Sequence, residues 1–415
     1  MTRHQIDPRL FNDSDVTRHL LAARGTQWMR GNRGDPYALL LRAQEVDAQR
    51  LFRAMRGRPE LRQSESDVWV TVDHRLGSEI LRDPRLTLGD PTARRRRRVF
   101  GIDSGTTLKH VLTLDDGLLA MDRAEYGRLR DLVSSALGPG VGERRAAAEA
   151  VFASMLDRLA GAGTFDAMTD LARPAVVAGF AAAAGLPAER TTELAALCAD
   201  VAPLLDSLLC PPTLDGTRRL VAAFDELRAL TAKATAGRDG SEADGAVLAL
   251  LFTVGVEVAA NLVCNAVLAL AEHPGEWDLL RSGARSASDV VEETLRHRPP
   301  VRLESRIAAR DVTLAGQEVD RGAQVVVLVE GANRDPEVFA DPDRFDSGRR
   351  SGGVHLSLAD GSPVGAVGPA VRLVAEAAVS ALAAGGRAPV VAGEVVFRMR
   401  SPVVRGVARC PVAVG

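Results

Sequence analysis

The sequence predicts a mainly α protein with small β-sheets. Three observations carry this. From Asp115 to about Glu272 the chain is rich in alanine, and its apolar residues recur at helical spacing. After "ASDVVEETLRHRPPV" the period shortens to alternation, with turn residues between short runs. One more short run, "DVWVTV", stands near the other end, so the small sheets fall toward both ends of the chain.

Residues 1–40 are polar and Gly-rich around "RGTQWMRGNRGDPYALL". Trp28 and Tyr37 are large amphipathic side chains among glycines, a composition that suits docking. A stretch wrapped over the protein's own sheet would use the same residues. The reading is an N-terminal segment, 1–40, as a candidate docking region, ahead of a single domain over 41–415. "DVWVTVDHRLGSEILRDPRL" reads as a strand from Val68 to Val72 followed by a helix. "PTARRRRRVF" is a basic loop, read as solvated and offset by nearby acids rather than as a site for a phosphate-rich partner. Pro174, Pro187 and Pro203 punctuate the helical region, and "GRDGSEADG" breaks it. The apolar stretch "GAVLALLFTVGVEVAANLVCNAVLALAEH" is interrupted by Glu257 and Asn261 and reads as a long buried helix. "DVTLAGQEVDRGAQVVVLV" reads as two short strands, and the C-terminal "APVVAGEVVFRMRSPVVRGVARCPVAV" as more of them. No fixed-period repeat and no long linker divides the chain.

A chain of 415 residues can bury a large core. Hydrophobic residues make up 46% but aromatics only 4%, so that core must be built from Ala, Leu and Val. The formal net charge of -2 gives no global field for nucleic acid or an anionic membrane. Cys198, Cys210, Cys264 and Cys410 are widely and irregularly spaced, without a CxxC pair. They read as reduced, buried small hydrophobes of a cytoplasmic protein rather than zinc ligands. The N-terminus has no apolar h-region, and no uncharged run reaches the roughly 18 residues of a membrane span.

Three segments, in order, resemble the bacterial cytochrome P-450 heme-thiolate monooxygenases. "MDRAEYGRLRDLVSSAL" resembles the family's heme-covering helix. "VVEETLRHRPPV" resembles the ExxR helix, with Glu293 and Arg296 one turn apart on one face. "GANRDPEVFADPDRF" resembles the segment whose arginine, here Arg344, completes a Glu–Arg–Arg cluster. The resemblance runs from about Gly34 to the C-terminus and implies a cytochrome P-450 fold.

It also implies a loss. The family's loop reads roughly H-L-x-F-G-x-G-x-H-x-C-x-G, and its Cys thiolate is the axial iron ligand. Here "HLSLADGSPVGAVG" aligns from His355, with Leu358 for Phe, Ala359 for Gly, and Pro363 for the propionate-binding His. Gly365 stands at the ligand position, and nothing from Ser362 to Pro369 offers a thiol, imidazole or phenol. Neither His297 nor His355 occupies the ligand position. "VGVEVAAN" stands where the family has A-G-x-E-T-T: Glu257 remains, but Val258 cannot relay a proton. Tyr126 replaces the His of H-x-x-x-R, while Arg130 and Arg306 persist at propionate-type positions. The resemblance thus implies a fold lacking the heme-ligand cysteine, with no cofactor and no catalysis.

What persists is scaffold (Glu293, Arg296, Arg344), and random decay would not spare only that. In its missing Cys, its missing Thr and the N-terminal cluster "RGTQWMRGNRGDPYALLL", the sequence resembles the heme-free auxiliary proteins that bind, stabilise and activate deoxysugar glycosyltransferases in actinobacterial antibiotic biosynthesis. That resemblance implies a glycosyltransferase partner, in a heterotetramer, and neither nucleic acid nor membrane. Two other readings stay open: a small-molecule binder using the vacated heme cavity, and a heme monooxygenase with an atypical ligand.

Overall fold

The most apolar stretch of the chain becomes one long helix, and the remaining layers pack around it. In the computed structural model the described residues run from 13 to 414, apart from 43–46, 57–58, 89–97, 100–101, 104–122, 138–139, 162, 208, 211, 237–240, 350–353 and 387. Four arginines of the basic run lie outside the described residues. Eight helices build the region of interest: α1 (Asp13–Asn32), α2 (Pro36–Arg42), α3 (Arg123–Leu137), α4 (Arg173–Ala183), α5 (Val256–Glu272), α6 (Ala287–His297), α7 (Pro363–Ala366) and α8 (Gly368–Ala384).

Every residue of α5 from Val256 to Leu270 is buried. A helix that is apolar all round has no solvent face to offer, so it must form a core. The stretch Asp244–Glu272 is long and apolar enough to cross a membrane, yet 94% of its most apolar window is buried inside the protein. A π-helical turn, Leu251–Gly255, precedes α5. The polar interruptions are satisfied where they stand. Asn261 donates to the Glu257 carboxylate at 2.6 Å and accepts from the Val407 amide at 2.8 Å. All four cysteines are free and buried.

The main sheet contains β1 (Arg62–Gln63), β2 (Val68–Thr71), β3 (Leu86–Thr87), β4 (Glu304–Ala308) and β5 (Gln324–Val327), ordered β1-β2-β5-β4-β3. Strand β5 runs parallel to β2 and antiparallel to β4. The sheet thus unites residues from both ends of the chain, as the two separated alternating runs require. Where the sequence suggests two strands after residue 310, there are three. Val312–Leu314 and Gln317–Val319 form a hairpin closed by Ala315 and Gly316, both at positive φ. The turn at Asp320–Gly322 then frees Gln324–Val327 to join the main sheet.

One buried ion pair ties α6 to the irregular segment after β5. Arg296 binds both carboxylate oxygens of Glu293 at 2.8 Å. Its remaining N–H groups donate to the backbone carbonyls of Asn333, Pro342 and Arg344. Glu293 also accepts from the Asp346 amide at 2.8 Å. Arg344 therefore enters the cluster through its carbonyl only, and its residue is exposed. The second guanidinium is that of Arg349, 3.7 Å from Glu293. This corrects the expectation that Arg344 completes the cluster. The loop after Phe345 doubles back toward α6, which carries Arg349 rather than Arg344 to the carboxylate.

Removing Glu293 would leave two buried guanidinium groups without their counter-charge. Glu293→Ala is expected to cost about 3–5 kcal/mol, read as a lower denaturation midpoint. A variant as stable as the parent would show the cluster to be dispensable.

Candidate functional site

The segment His355–Val367 is fixed by polar contacts along its whole length. His355 bonds Glu292 at 2.9 Å, the Leu356 amide donates to Asn333, and the Ser357 hydroxyl donates to the Leu295 carbonyl. Leu358 is buried at φ 54, a backbone region costly for a bulky side chain. Ser362 then caps the single turn α7. Its hydroxyl accepts from the Gly365 amide at 3.1 Å and lies 3.1 Å from a Glu304 carboxylate oxygen. Pro363 opens that turn, where its missing N–H costs nothing.

Gly365 has no room for a side chain. A Cβ there would overlap the Ala359 carbonyl oxygen and lie 2.9 Å from the Ala359 carbonyl carbon. The obstacle is backbone, not a flexible side chain. The loop has closed over the position that the resemblance assigns to the iron ligand.

The propionate-type residues are engaged elsewhere too. The Tyr126 hydroxyl donates to Asp360 at 2.7 Å, and Arg130 lies 3.7 Å from the same carboxylate. Burial, followed by that hydrogen bond, pushes the Tyr126 phenol above its ordinary value, so it remains a neutral donor. Arg306 is only 1% exposed and pairs with Glu304 at 3.1 Å. Asp360 and Glu304 thus give these residues carboxylate partners within the chain itself.

Val258 is fully buried in the main core. Its neighbour Glu257 binds Arg398 at 2.5 Å and Arg173 at 3.3 Å. The retained acid therefore joins α5 to α4 and to the C-terminal segment. His297 bonds the Asp343 carbonyl at 2.9 Å, and burial, then the Arg334 charge, push it down to about 3. Both histidines near the site thus have structural partners.

The residues present do not fit a heme-thiolate centre. Gly365, which the resemblance assigns to the ligand position, has neither a donor nor the space for one. Glu304 is the site residue that sequence reasoning passed over. Its signal was present: Glu304 and Arg306 are two apart in a strand, and so share a face.

A Gly→Ala change in a helical turn with open space should gain about 1 kcal/mol. The overlap at Gly365 reverses that sign. Gly365→Ala is expected to cost about 1–3 kcal/mol in denaturant melts, and a stabilised variant would show the loop to be open.

Comparison with known proteins follows the same lines. A family model described as Cytochrome P450 matches residues 287–351, the span of α6, the sheet return and the Arg349 segment. Protein AknT of Streptomyces galilaeus is 40% identical over 431 residues, covering 96% of each chain. Cytochrome P450 family protein EryCII of Saccharopolyspora erythraea is 34% identical, covering 95% of this chain and 97% of that protein. The crystal structure of ligand-free Mycobacterium smegmatis CYP164A2 superposes with a TM-score of 0.75 at 29% identity, covering 91% of this chain and 99% of that one. Shared sequence over nearly the whole length, together with the buried Glu–Arg cluster and the mixed sheet, establishes that the chain belongs to the cytochrome P450 family.

Proposed function

We propose that this protein is a non-catalytic auxiliary protein that binds, stabilises and activates a deoxysugar glycosyltransferase in antibiotic biosynthesis. The single observation that carries the reading is the contrast between scaffold and site. The Glu293–Arg296–Arg349 cluster is complete, whereas the cofactor contacts are taken over by Asp360 and Glu304 and the ligand position is closed. A fold kept without its chemistry serves through its surface. The near-full-length similarity to AknT and EryCII supports the same reading.

The other two readings lose their footing on the same contacts. A monooxygenase with an atypical ligand would need a donor at the ligand position, but Gly365 supplies none, His355 is bonded at both ring nitrogens and His297 bonds the Asp343 carbonyl. A binder using the vacated cavity would need Tyr126 and Arg306 to face a guest, but each faces a carboxylate of its own chain.

The complex is a heterotetramer, two copies of each protein built on a transferase dimer, in the cytoplasm. It needs no cofactor. A silent partner raises turnover only through its differential affinity for the active conformation of the enzyme. A tenfold activation needs about 1.4 kcal/mol of such preference, within reach of an interface burying about 1,200–2,000 Å².

The test is the initial rate of sugar transfer by the partner enzyme with and without this protein, alongside gel filtration of the mixture. Co-elution and a rate increase of about tenfold or more are expected. An unchanged rate without co-elution at micromolar concentration would overturn the reading.

A further inference from the structure

Helix α1 has two unlike faces. Leu20, Thr26 and Gly31 point inward, and Leu20 joins the main core. On the outer face Leu21 is 62% exposed and Trp28 57% exposed, with Gly25 between them. The spacing of i, i+4 and i+7 lines these three along one stripe. No atom lies within 4 Å of where a Gly25 Cβ would stand, so the stripe carries a notch between two large apolar side chains. Tyr37, by contrast, is 2% exposed and belongs to the core, where its amide bonds Asp35 and Asp35 bonds Ser64. Of the two aromatic residues expected to dock, only Trp28 is placed to do so.

The C-terminal hairpin meets this helix. Its strands are β6 (Val396–Phe397) and β7 (Val407–Arg409). The Gln27 amide donates to the Leu209 carbonyl, and Arg400 donates to Gln27 at 3.4 Å. That bond ties α1 to the turn carrying Met399, which precedes Arg400, while Trp28 follows Gln27 and has the Arg42 guanidinium 6.0 Å from its ring. Met399 is 76% exposed and Phe397 39%.

Buried anchors hold the Met399 turn on both sides. Arg398 binds Glu257 of the core helix at 2.5 Å. Ser401 donates to Asp206 at 2.6 Å, and Asp206 also accepts from the amides of Val403 and Val404. Between them Arg400 is held at φ 63. The backbone of the turn is thus preorganised, so its ordering adds little to the cost of binding.

The rim is also unbalanced in charge. Arg24 and Arg400 are electrostatic neighbours that repel, and Arg24 falls below its ordinary value through burial and then through Arg400. Among the described residues, no carboxylate pairs with either side chain. Like charges left together beside exposed Trp and Met are a cost in the free protein that an acidic partner would relieve.

Resting on the auxiliary reading above, we propose that the outer face of α1 and the Met399 turn form one docking surface for the glycosyltransferase. Its occupant is an apolar segment of the transferase that carries at least one carboxylate, set against Arg24 and Arg400. Leu21, Trp28, Phe397 and Met399 supply the apolar contact. Glu257, kept at the position of a catalytic acid, here positions the turn.

The experiment compares full-length wild type with Trp28→Glu, Met399→Glu and Arg24→Glu, using the co-expressed, purified glycosyltransferase as the probe. Val354→Glu, at an exposed apolar residue outside the surface, is the control. Trp28→Glu and Met399→Glu should each weaken binding by about tenfold or more, and Val354→Glu should not. Arg24→Glu should weaken binding and reduce its salt dependence. Wild-type co-elution with all three variants binding equally well would overturn the surface and leave the auxiliary reading standing. Wild type that neither co-elutes nor activates would overturn the auxiliary reading itself. Should a charged variant melt early, a benzophenone side chain at position 399 replaces it. A covalent adduct with the transferase from position 399 supports the surface, and an adduct from position 354 alone overturns it.

Discussion

The Glu293–Arg296 pair is the constraint on which the rest of the structure depends. It lies on α6, one turn apart, with both side chains almost fully buried. A buried ion pair is stable only when its remaining donors and acceptors are also satisfied. Arg296 meets that demand with three backbone carbonyls from residues 333 to 344 and Glu293 with the Asp346 amide, while the Arg349 guanidinium adds charge 3.7 Å away. The cost of two buried charges thereby fixes the path of a segment that has no secondary structure of its own. Asn333, held in that segment, in turn bonds the Leu356 amide and the Ser357 hydroxyl. The loop before α8 inherits its position from the ion pair.

Given that frame, the loop has been rebuilt to satisfy itself. A cytochrome P450 pocket that lost its cofactor would leave cationic and phenolic groups facing an empty space, each with an unmet bond. Here Asp360 takes Tyr126 and Arg130, and Glu304 takes Arg306 and Ser362. The match is incomplete: Nη2 of Arg306, Nε of Arg173 and Nδ1 of His297 are among the buried atoms without a partner in the described residues. Glu257 has likewise changed employment. It crosslinks α5 to α4 and to the C-terminal segment, instead of standing beside an alcohol.

Much of this was legible in the sequence, for reasons that differ by residue. Gly365 and Val258 are assigned from fixed offsets within local motifs, and the structure buries Val258 and leaves no room for a Cβ at Gly365. The Glu293–Arg296 pair could be read because a helix brings i and i+3 together. Arg349 was mistaken for Arg344 because the two lie in an aperiodic loop, where no spacing rule says which side chain turns inward. Asp360 is the lone carboxylate of the loop, but its partners lie more than two hundred residues away in α3. Tyr37 and Trp28 looked alike in sequence. Long-range packing against Ser64 and the sheet buries the first and leaves the second in solvent.

We propose that the chain's own groups now occupy the position where the family holds heme. The most direct measurement is titration of the purified full-length protein with hemin, followed by absorption in the Soret region before and after reduction under carbon monoxide. Neither a saturable one-to-one band nor a carbon monoxide shift beyond that of free hemin is expected. A stoichiometric Soret band that saturates and shifts with carbon monoxide on reduction would contradict it.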